Sequence, residues 1–211
     1  MMDARYHPIG AHTDLSGAVL AGGRSSRMGR DKPLIVFDGL TLYERACRAL
    51  APHVREVIVA CGTRALPPLP GTRAIEDEEE GRGPLSGLCA VLAHARTTHV
   101  LCLPTDLPMV TADAVAAFRA EASHAATAVL VHEGRLQPLV GIYPVAALAA
   151  VRALRAAGEE RMGAFAAHIG AVPIDAARLG RVHADALTRD VDTPEEWRCM
   201  TGARPPASAT H

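Results

Sequence analysis

Residues 20–32 read LAGGRSSRMGRDK, and this stretch decides the predicted fold. It follows GAVLA at residues 17–21, an apolar run with the length of a buried strand. Gly22 and Gly23 then allow a tight turn in which backbone amides can approach a ligand. Cations follow within the same stretch, at Arg24, Arg27, Arg30 and Lys32. Amides and cations together replace the water around an anion, so a strand opening into such a loop predicts a polyphosphate site.

Two common phosphate-binding motifs do not fit this loop. A P-loop ends in Gly-Lys-Ser or Gly-Lys-Thr, whereas Gly29 is followed by Arg30 and Asp31. The absence weakens the case for a P-loop kinase or GTPase. The dinucleotide fingerprint needs three glycines at a spacing that this loop lacks. From these residues alone, a surface loop made soluble by arginines remains an alternative.

The composition indicates one globular domain of 211 residues, with 49% hydrophobic residues. A net charge of −1 and a pI of about 6.8 give no support for a general polyanion-binding surface. No apolar run has transmembrane length, and the five cysteines lack metal-type spacing. We therefore expect a cytoplasmic protein with reduced cysteines that binds neither nucleic acid nor membranes. The predicted domain covers 17–201, between flexible tails at 1–16 and 202–211.

Apolar runs and helix signals alternate along the chain. Strands are predicted at 17–21, 34–37, 56–61, 72–75, 99–103, 127–132, 138–143 and 171–174. Capping or proline signals predict helices that begin at Thr41, Pro84, Thr111, Pro144 and Thr193, and a short helix at 161–168. The class is therefore α/β: a single-domain, three-layer α/β/α fold with a mostly parallel central sheet, Rossmann-like in type.

Ligands of such sheets lie beyond the carboxyl ends of the strands. This rule brings the 22–32 loop, Asp77, Asp106 and Asp192 to one edge. Asp106 follows a strand directly, and a carboxylate beside a phosphate loop suits Mg²⁺, which prefers hard oxygen ligands. Each aspartate could instead serve only a turn or a solvated surface.

Seven motifs together resemble molybdenum cofactor guanylyltransferases, the molybdopterin-guanine dinucleotide biosynthesis protein A family. This family belongs to the sugar-nucleotide-transferase-like nucleotidyltransferases. Beside the opening motif, the resemblance rests on IED (75–77), GPLSGL (83–88), TDLP (105–108), QPLVGIY (137–143), GEERM (158–162) and DVDTPEE (190–196). It spans residues 17–197. Leu-Ala-Gly-Gly with Gly-Pro-Leu resembles guanylyl rather than cytidylyl transferases, which usually read Leu-Ala-Ala-Gly.

The resemblance implies a nucleotidyltransferase fold and the transfer of GMP from GTP to the terminal phosphate of molybdenum-bearing molybdopterin, with release of pyrophosphate. It implies Mg²⁺ as cofactor, and other cofactor-synthesis proteins or apo-molybdoenzymes as candidate partners. The implied catalytic residues are Arg27, Lys32 and Asp106, and the implied metal ligands are Asp106 and Asp192. The implied GTP-binding residues are Leu20, Ala21, Gly22, Gly23, Lys32, Asp77, Gly83, Pro84, Leu85 and Asp106.

The chain departs from the family at two places. Asp190-Val-Asp192 stands where the family often has Asn-x-Asn, which affects the metal shell. The family often has an asparagine near Ala60, where this chain offers no polar side chain. Two other functions remain open. One is a cytidylyltransferase or another transferase acting on a phosphate acceptor, and the other is a nucleotide-binding regulatory module without turnover.

Overall fold

A computed structural model describes residues 14–22, 31–76, 83–191 and 193–201. These residues form a seven-stranded mixed sheet with helices on both faces, and a separate two-stranded hairpin. Within the described residues, no helix is long and apolar enough to cross a membrane.

The strands and helices alternate as the sequence predicts. The strands are β1 (Leu15–Leu20), β2 (Val36–Phe37), β3 (Leu40–Thr41), β4 (Val57–Ala60), β5 (Thr72–Ile75), β6 (His99–Pro104), β7 (Ala128–His132), β8 (Arg135–Pro144) and β9 (Val172–Asp175). The helices are α1 (Leu42–Leu50), α2 (Pro84–His94), α3 (Ala112–Glu121), α4 (Leu148–Ala156), α5 (Met162–His168), α6 (Arg181–Thr188) and α7 (Pro194–Thr201).

The sheet is mostly parallel, as predicted, with one reversed strand. Its order is β5-β4-β1-β6-β8-β7-β9. The first four strands in this order are mutually parallel, β8 runs antiparallel to both of its neighbours, and β9 is parallel to β7. The carboxyl ends of β1, β4, β5 and β6 therefore meet at one edge.

Alternate residues of each strand face opposite helical layers, which confirms the three-layer prediction. Val19 faces a core that includes residues of α1, α3 and α6. Its neighbours Ala18 and Leu20 face the other core, which includes residues of α2, α4 and α5. A smaller cluster attaches α7, whose Trp197 packs edge-on against Phe37 with ring centroids 5.5 Å apart.

The predicted caps are confirmed. Thr41 and Glu44 form the capping box of α1, with the amide of Thr41 donating to the Glu44 carboxylate over 2.7 Å. Thr111 caps α3, and Thr193 exchanges hydrogen bonds with Glu196 at the start of α7. These local signals fix where the helices begin because side-chain oxygens satisfy amides that have no partner within the helix.

Four details differ from the predictions. The segment 34–37 is extended only in its second half, because Lys32–Leu34 forms a 3₁₀ turn around the buried Pro33. Pro144 does not open a helix, since it ends β8 opposite His99, and α4 begins after a further 3₁₀ turn. Helix α6 was not predicted. β1 begins at Leu15, inside the stretch predicted as a tail, because Leu15 is buried in the core.

Candidate active site

The carboxyl ends of β1, β4 and β6 lie side by side. At the last registered position of β1, Leu20 pairs with Ala60 of β4 and Pro104 of β6. The pairing continues past the strand, because the amide of Ala21 donates to the carbonyl of Ala60 over 2.9 Å. The segments that leave β1 and β6 are therefore neighbours at this edge.

An ion pair joins these two segments. Nζ of Lys32 donates to Oδ2 of Asp106 over 3.3 Å. The two side chains are 11% and 23% exposed, so water and salt screen them less than a surface pair. Lys32 is also the only lysine among the 22 lysine and arginine residues of the chain. The pair offers one strong donor to an anion and one hard oxygen ligand to a cation.

A second carboxylate, that of Asp190, is held near Asp106 by a backbone hydrogen bond. The amide of Val191 donates to the carbonyl of Asp106 over 3.0 Å, which holds the segment before α7 against the end of β6. Asp190 and Asp106 line one cleft. Asp192, the predicted second metal ligand, lies outside the described residues.

The predicted GTP-binding residues at the end of β1 can offer a ligand mainly their backbone amide and carbonyl groups. The side chains of Leu20 and Ala21 are buried, whereas Gly22 is exposed. A nucleotide at this edge would therefore meet the main chain here. Gly23, Arg27 and Asp77, which were also predicted to contact GTP, lie outside the described residues.

Helix α2 begins at the same edge. Gly83 precedes it with a φ of 79°, a left-handed conformation that favours glycine. Pro84 is the first helical residue, as predicted, and Leu85 is fully buried beneath it. Gly83, the N-cap residue, has no side chain and therefore supplies no capping hydrogen bond to the first turn.

A cleft of about 370 Å³ lies over β6 and β8, beside Asp106. Most of its lining is apolar: Pro84, Pro104, Leu107, Pro138, Leu139, Val140, Met162 and Leu187. Its charged lining residues are Asp106, Glu160, Arg161 and Asp190. Asp106 also contacts Lys32, whose segment lies at the same sheet edge as the end of β1. Asp106 therefore both borders the cleft and contacts the segment that carries Lys32.

The rim of the cleft carries two ion pairs that sequence reasoning left without a role. Arg161 binds Glu159 through two contacts of 2.6 and 2.9 Å. Hydrogen bonds from the Arg161 side chain and amide lower the pKa of Glu159 to about 2. Nearby, Arg155 is buried and approaches Glu160 at 3.4 Å. The GEERM motif was the available signal, because it places a charged run directly after a helix-ending glycine.

Arg64 is a further residue that sequence reasoning missed. Its guanidinium donates to the carbonyl of Ala21, and its Nε lies 2.9 Å from Oδ1 of Asp31. The available signal was weak, since Arg64 stands in an irregular segment without a motif. Ala60, near which the family often has an asparagine, is buried at the end of β4 and has no polar side chain to offer a ligand.

The buried cysteines are poor candidates for nucleophiles. Cys47, Cys61, Cys89 and Cys102 are buried, as predicted for Cys61, Cys89 and Cys102. Burial raises the pKa of Cys47 to about 12 and raises that of Cys102 further. Because the thiolate is the reactive form, these two thiols remain neutral near pH 7.

The fold and the edge geometry define a class. The sheet is of the doubly wound α/β type, and its ligand edge carries the Lys32–Asp106 pair and an adjacent cleft of about 370 Å³. Such an arrangement suits the transfer of a nucleotidyl group between two phosphate-bearing molecules.

Comparison with known proteins identifies the family. Residues 17–172 match the family model of the MobA-like NTP transferase domain. The molybdenum cofactor guanylyltransferase of Pseudomonas syringae is 39% identical over 67% of this chain and 73% of its own. That of Burkholderia vietnamiensis is 32% identical over 80% and 89%. The chain belongs to the MobA-like NTP transferase family.

A solved structure supports the same fold. The molybdopterin-guanine dinucleotide biosynthesis protein A from Archaeoglobus fulgidus superposes with a TM-score of 0.70. The two sequences are 19% identical, and the match covers 87% of this chain and 95% of the other. This likeness establishes the fold alone.

Proposed function

We propose that this protein is a molybdenum cofactor guanylyltransferase. It transfers GMP from GTP to the terminal phosphate of molybdenum-bearing molybdopterin, and it releases pyrophosphate. The observation that carries the proposal is the Lys32–Asp106 pair, which joins the segment before β2 to the end of β6 and borders the cleft over β6 and β8. The names of the related proteins supply the choice of base and acceptor.

The reaction needs alignment more than acid–base chemistry. A phosphate oxygen of the acceptor attacks the α-phosphorus of GTP, and the bond from that phosphorus to the oxygen bridging the α- and β-phosphates breaks. The attacking oxygen already carries negative charge, so the protein needs no general base. Charge accumulates on the leaving pyrophosphate, and Lys32 is placed at the sheet edge where a cation could neutralise it. Arg27 is proposed to hold the triphosphate with it.

We assign the recognition of the guanine base and of the α-phosphate to segments that present mainly backbone groups. We assign Leu20, Ala21, Gly22 and Gly23 to the nucleotide, through main-chain groups. Gly83, Pro84 and Leu85, together with Asp77, are assigned to the guanine. The start of α2 supports this assignment, because the glycine N-cap supplies no side-chain hydrogen bond and the amide of Leu85 has no carbonyl acceptor within the helix.

The residues at Asp106 fit a magnesium ion. No group of three or more His, Cys, Asp or Glu side chains that could hold a metal occurs within the described ranges. Magnesium commonly uses one or two carboxylates and takes its remaining ligands from phosphates and water, so a full protein cage is not required. We propose Asp106 and Asp192 as the ligands, with Asp190 on the same cleft. A bound magnesium ion would supply charge neutralisation at the phosphates.

The cleft is proposed to hold the acceptor. Its volume of about 370 Å³ suits a small organic molecule, and its apolar lining suits a flat ring system. Arg161 at the rim is proposed to meet an anionic acceptor by exchanging its contacts with Glu159 for contacts with the acceptor. The proposal includes action in the cytoplasm, where buried cysteines outside disulfides are common, and exchange of the cofactor with other synthesis proteins or apo-molybdoenzymes.

Pyrophosphate release with GTP, CTP and ATP tests the proposal in the presence of molybdenum-bearing molybdopterin and magnesium. We expect GTP to be preferred by at least about tenfold, or roughly 1.4 kcal/mol. Equal turnover with CTP would replace the assignment by a cytidylyltransferase. GTP binding without pyrophosphate release, with the true acceptor present, would replace it by a regulatory module.

A further inference from the structure

Arg64 connects three segments at the ligand edge. It stands in a tight turn after β4, where its amide donates to the carbonyl of Cys61 over 3.1 Å. Cys61 is itself fixed, because its amide donates to the carbonyl of Ile75 at the end of β5. From this turn, the Arg64 guanidinium donates a hydrogen bond to the carbonyl oxygen of Ala21, just after β1, and its Nε lies 2.9 Å from Oδ1 of Asp31.

The contact with Asp31 matters because Asp31 directly precedes Lys32. On its other side, Lys32 is held by Pro33, which is buried, and by Ile35, which is fully buried and accepts a hydrogen bond from Leu42 over 3.0 Å. Lys32 is therefore anchored from both directions. The anchor after it is apolar packing, and the anchor before it is the Arg64–Asp31 pair.

We propose that Arg64 is a positioning residue, which acts through Asp31 to hold the Lys32 ammonium against Asp106. Arg64 donates a hydrogen bond to the carbonyl of Ala21 and forms an ion pair with Asp31 that lacks hydrogen-bond geometry. These two contacts tie the end of β1 to the segment that carries Lys32. A lysine has no planar guanidinium and could not make both contacts from one rigid group. The inference rests on the proposed function only for the role of Lys32 toward GTP; the positioning itself is independent of it.

The competing role for Arg64 is direct contact with the nucleotide. It is 21% exposed and lies at the same edge, so its location alone does not exclude this role. The two roles differ in their dependence on other residues. A positioning residue acts only while Asp31 and Lys32 are present, whereas a direct contact acts regardless of them.

Chemical labelling of Lys32 tests the positioning without any turnover. Because Lys32 is the only lysine, an amine-reactive acylating reagent followed by mass spectrometry reports its accessibility at a single side chain. We expect Arg64→Ala and Asp31→Asn each to raise the labelling rate by about tenfold, because the segment opens locally more often. Arg55→Ala is the matched control, since Arg55 is exposed at the opposite end of β4. Unchanged labelling in both folded variants would overturn the proposal.

A double-mutant cycle then separates positioning from direct contact. We expect Arg64→Ala to lower kcat/KM for GTP between about tenfold and a hundredfold, as small misplacements of a reacting group can do. Arg64→Lys should restore little, and Asp31→Asn should reproduce the loss. In a Lys32→Ala background, Arg64→Ala should add almost nothing. An equal loss in that background would overturn the proposal in favour of direct contact. A wild-type protein that does not turn over GTP would instead refute the proposed function, while the labelling result would still decide the positioning.

Discussion

Gly141 in β8 is a position where one added methyl group should disturb both the core and the cleft. It lies between Cys102 of β6 and Val129 of β7. A Cβ atom on Gly141 would lie 2.9 Å from Cε2 and from the hydroxyl oxygen of Tyr143, and 3.0 Å from the carbonyl oxygen of Ala128. Backbone cannot move away cheaply, and Tyr143 is fully buried, so Gly141→Ala should force a rearrangement.

The magnitude follows from two contributions. Overpacking a close-packed core by one methyl group typically costs about 1 to 3 kcal/mol. The displaced tyrosine would also strain or lose the hydrogen bond that its hydroxyl donates to the carbonyl of Pro138, which contributes about 1 kcal/mol more. We therefore expect Gly141→Ala to lower the free energy of unfolding by about 2 to 4 kcal/mol.

Urea unfolding measures this effect, with Gly163→Ala in α5 as the matched control. A Cβ on Gly163 meets nothing within 4 Å, so alanine there should stabilise the helix, by up to about 1 kcal/mol. In a Tyr143→Ala background, Gly141→Ala should cost much less, because the clash with the ring is gone. A Gly141→Ala protein as stable as wild type would refute the packing argument. Pro138 and Leu139 line the cleft, so the folded fraction should also show a raised KM for the acceptor.

Four further predictions follow from the site and from the opposite edge of the sheet. Lys32→Ala should lower kcat/KM for GTP by about a hundredfold in a protein that still folds; wild-type kinetics would return the loop to a solvated surface. In a magnesium titration of pyrophosphate release, Asp106→Asn should abolish most activity, with only partial recovery at high magnesium, because a hard cation depends on the negative charge. Asp192→Asn should keep most turnover at somewhat higher magnesium and Asp192→Ala should be clearly worse; equal inactivity of Asp106→Asn and Asp192→Asn would contradict the proposed metal ligands. For Glu56, burial raises the pKa, but hydrogen bonds led by the Arg73 guanidinium outweigh burial, so the pKa is lowered in the folded protein. The free energy of unfolding should therefore exceed that of Glu56→Gln fully above the unfolded pKa of about 4.3, and this difference should be lost as the pH falls through the lower folded value. A difference that grows on acidification would contradict this sign.

The local signals of the sequence predict most of the fold. The caps at Thr41, Thr111 and Thr193 act within one helical turn, so the residues that form them are adjacent in the sequence. The turns at 38–39 and 133–134 each place two successive residues at positive φ, and their Asp-Gly and Glu-Gly pairs mark them. Such signals need no knowledge of the tertiary structure.

Helix α6 escaped prediction because its buried residues are small. Ala184, Ala186 and Leu187 form its inner face, while Val182 is 77% exposed, so the apolar pattern of the sequence is misleading. Pro144 was misassigned because a proline suits the first position of a helix as well as the end of a strand; pairing with His99, far along the chain, decided the outcome.

The site residues also divide into those that the sequence predicts and those that depend on tertiary contacts. The strand-end rule brings Asp106 to the edge at which β1 ends, and the structure adds the contact with Lys32 that no pattern specifies. Arg64 could not be predicted, because its partners Ala21 and Asp31 are distant in sequence and its own segment is irregular. The cleft depends on the packing of α5 and α6 beside β8, which is again a tertiary property.

The fate of the phosphates of GTP tests the central claim most directly. GTP radiolabelled at the α-phosphate, or in a parallel reaction at the γ-phosphate, would be incubated with the protein, magnesium and molybdenum-bearing molybdopterin. Guanylyl transfer predicts the α-label in the guanine dinucleotide form of the cofactor and the γ-label in pyrophosphate. A γ-label in the acceptor, or an α-label that remains in GDP, would contradict it.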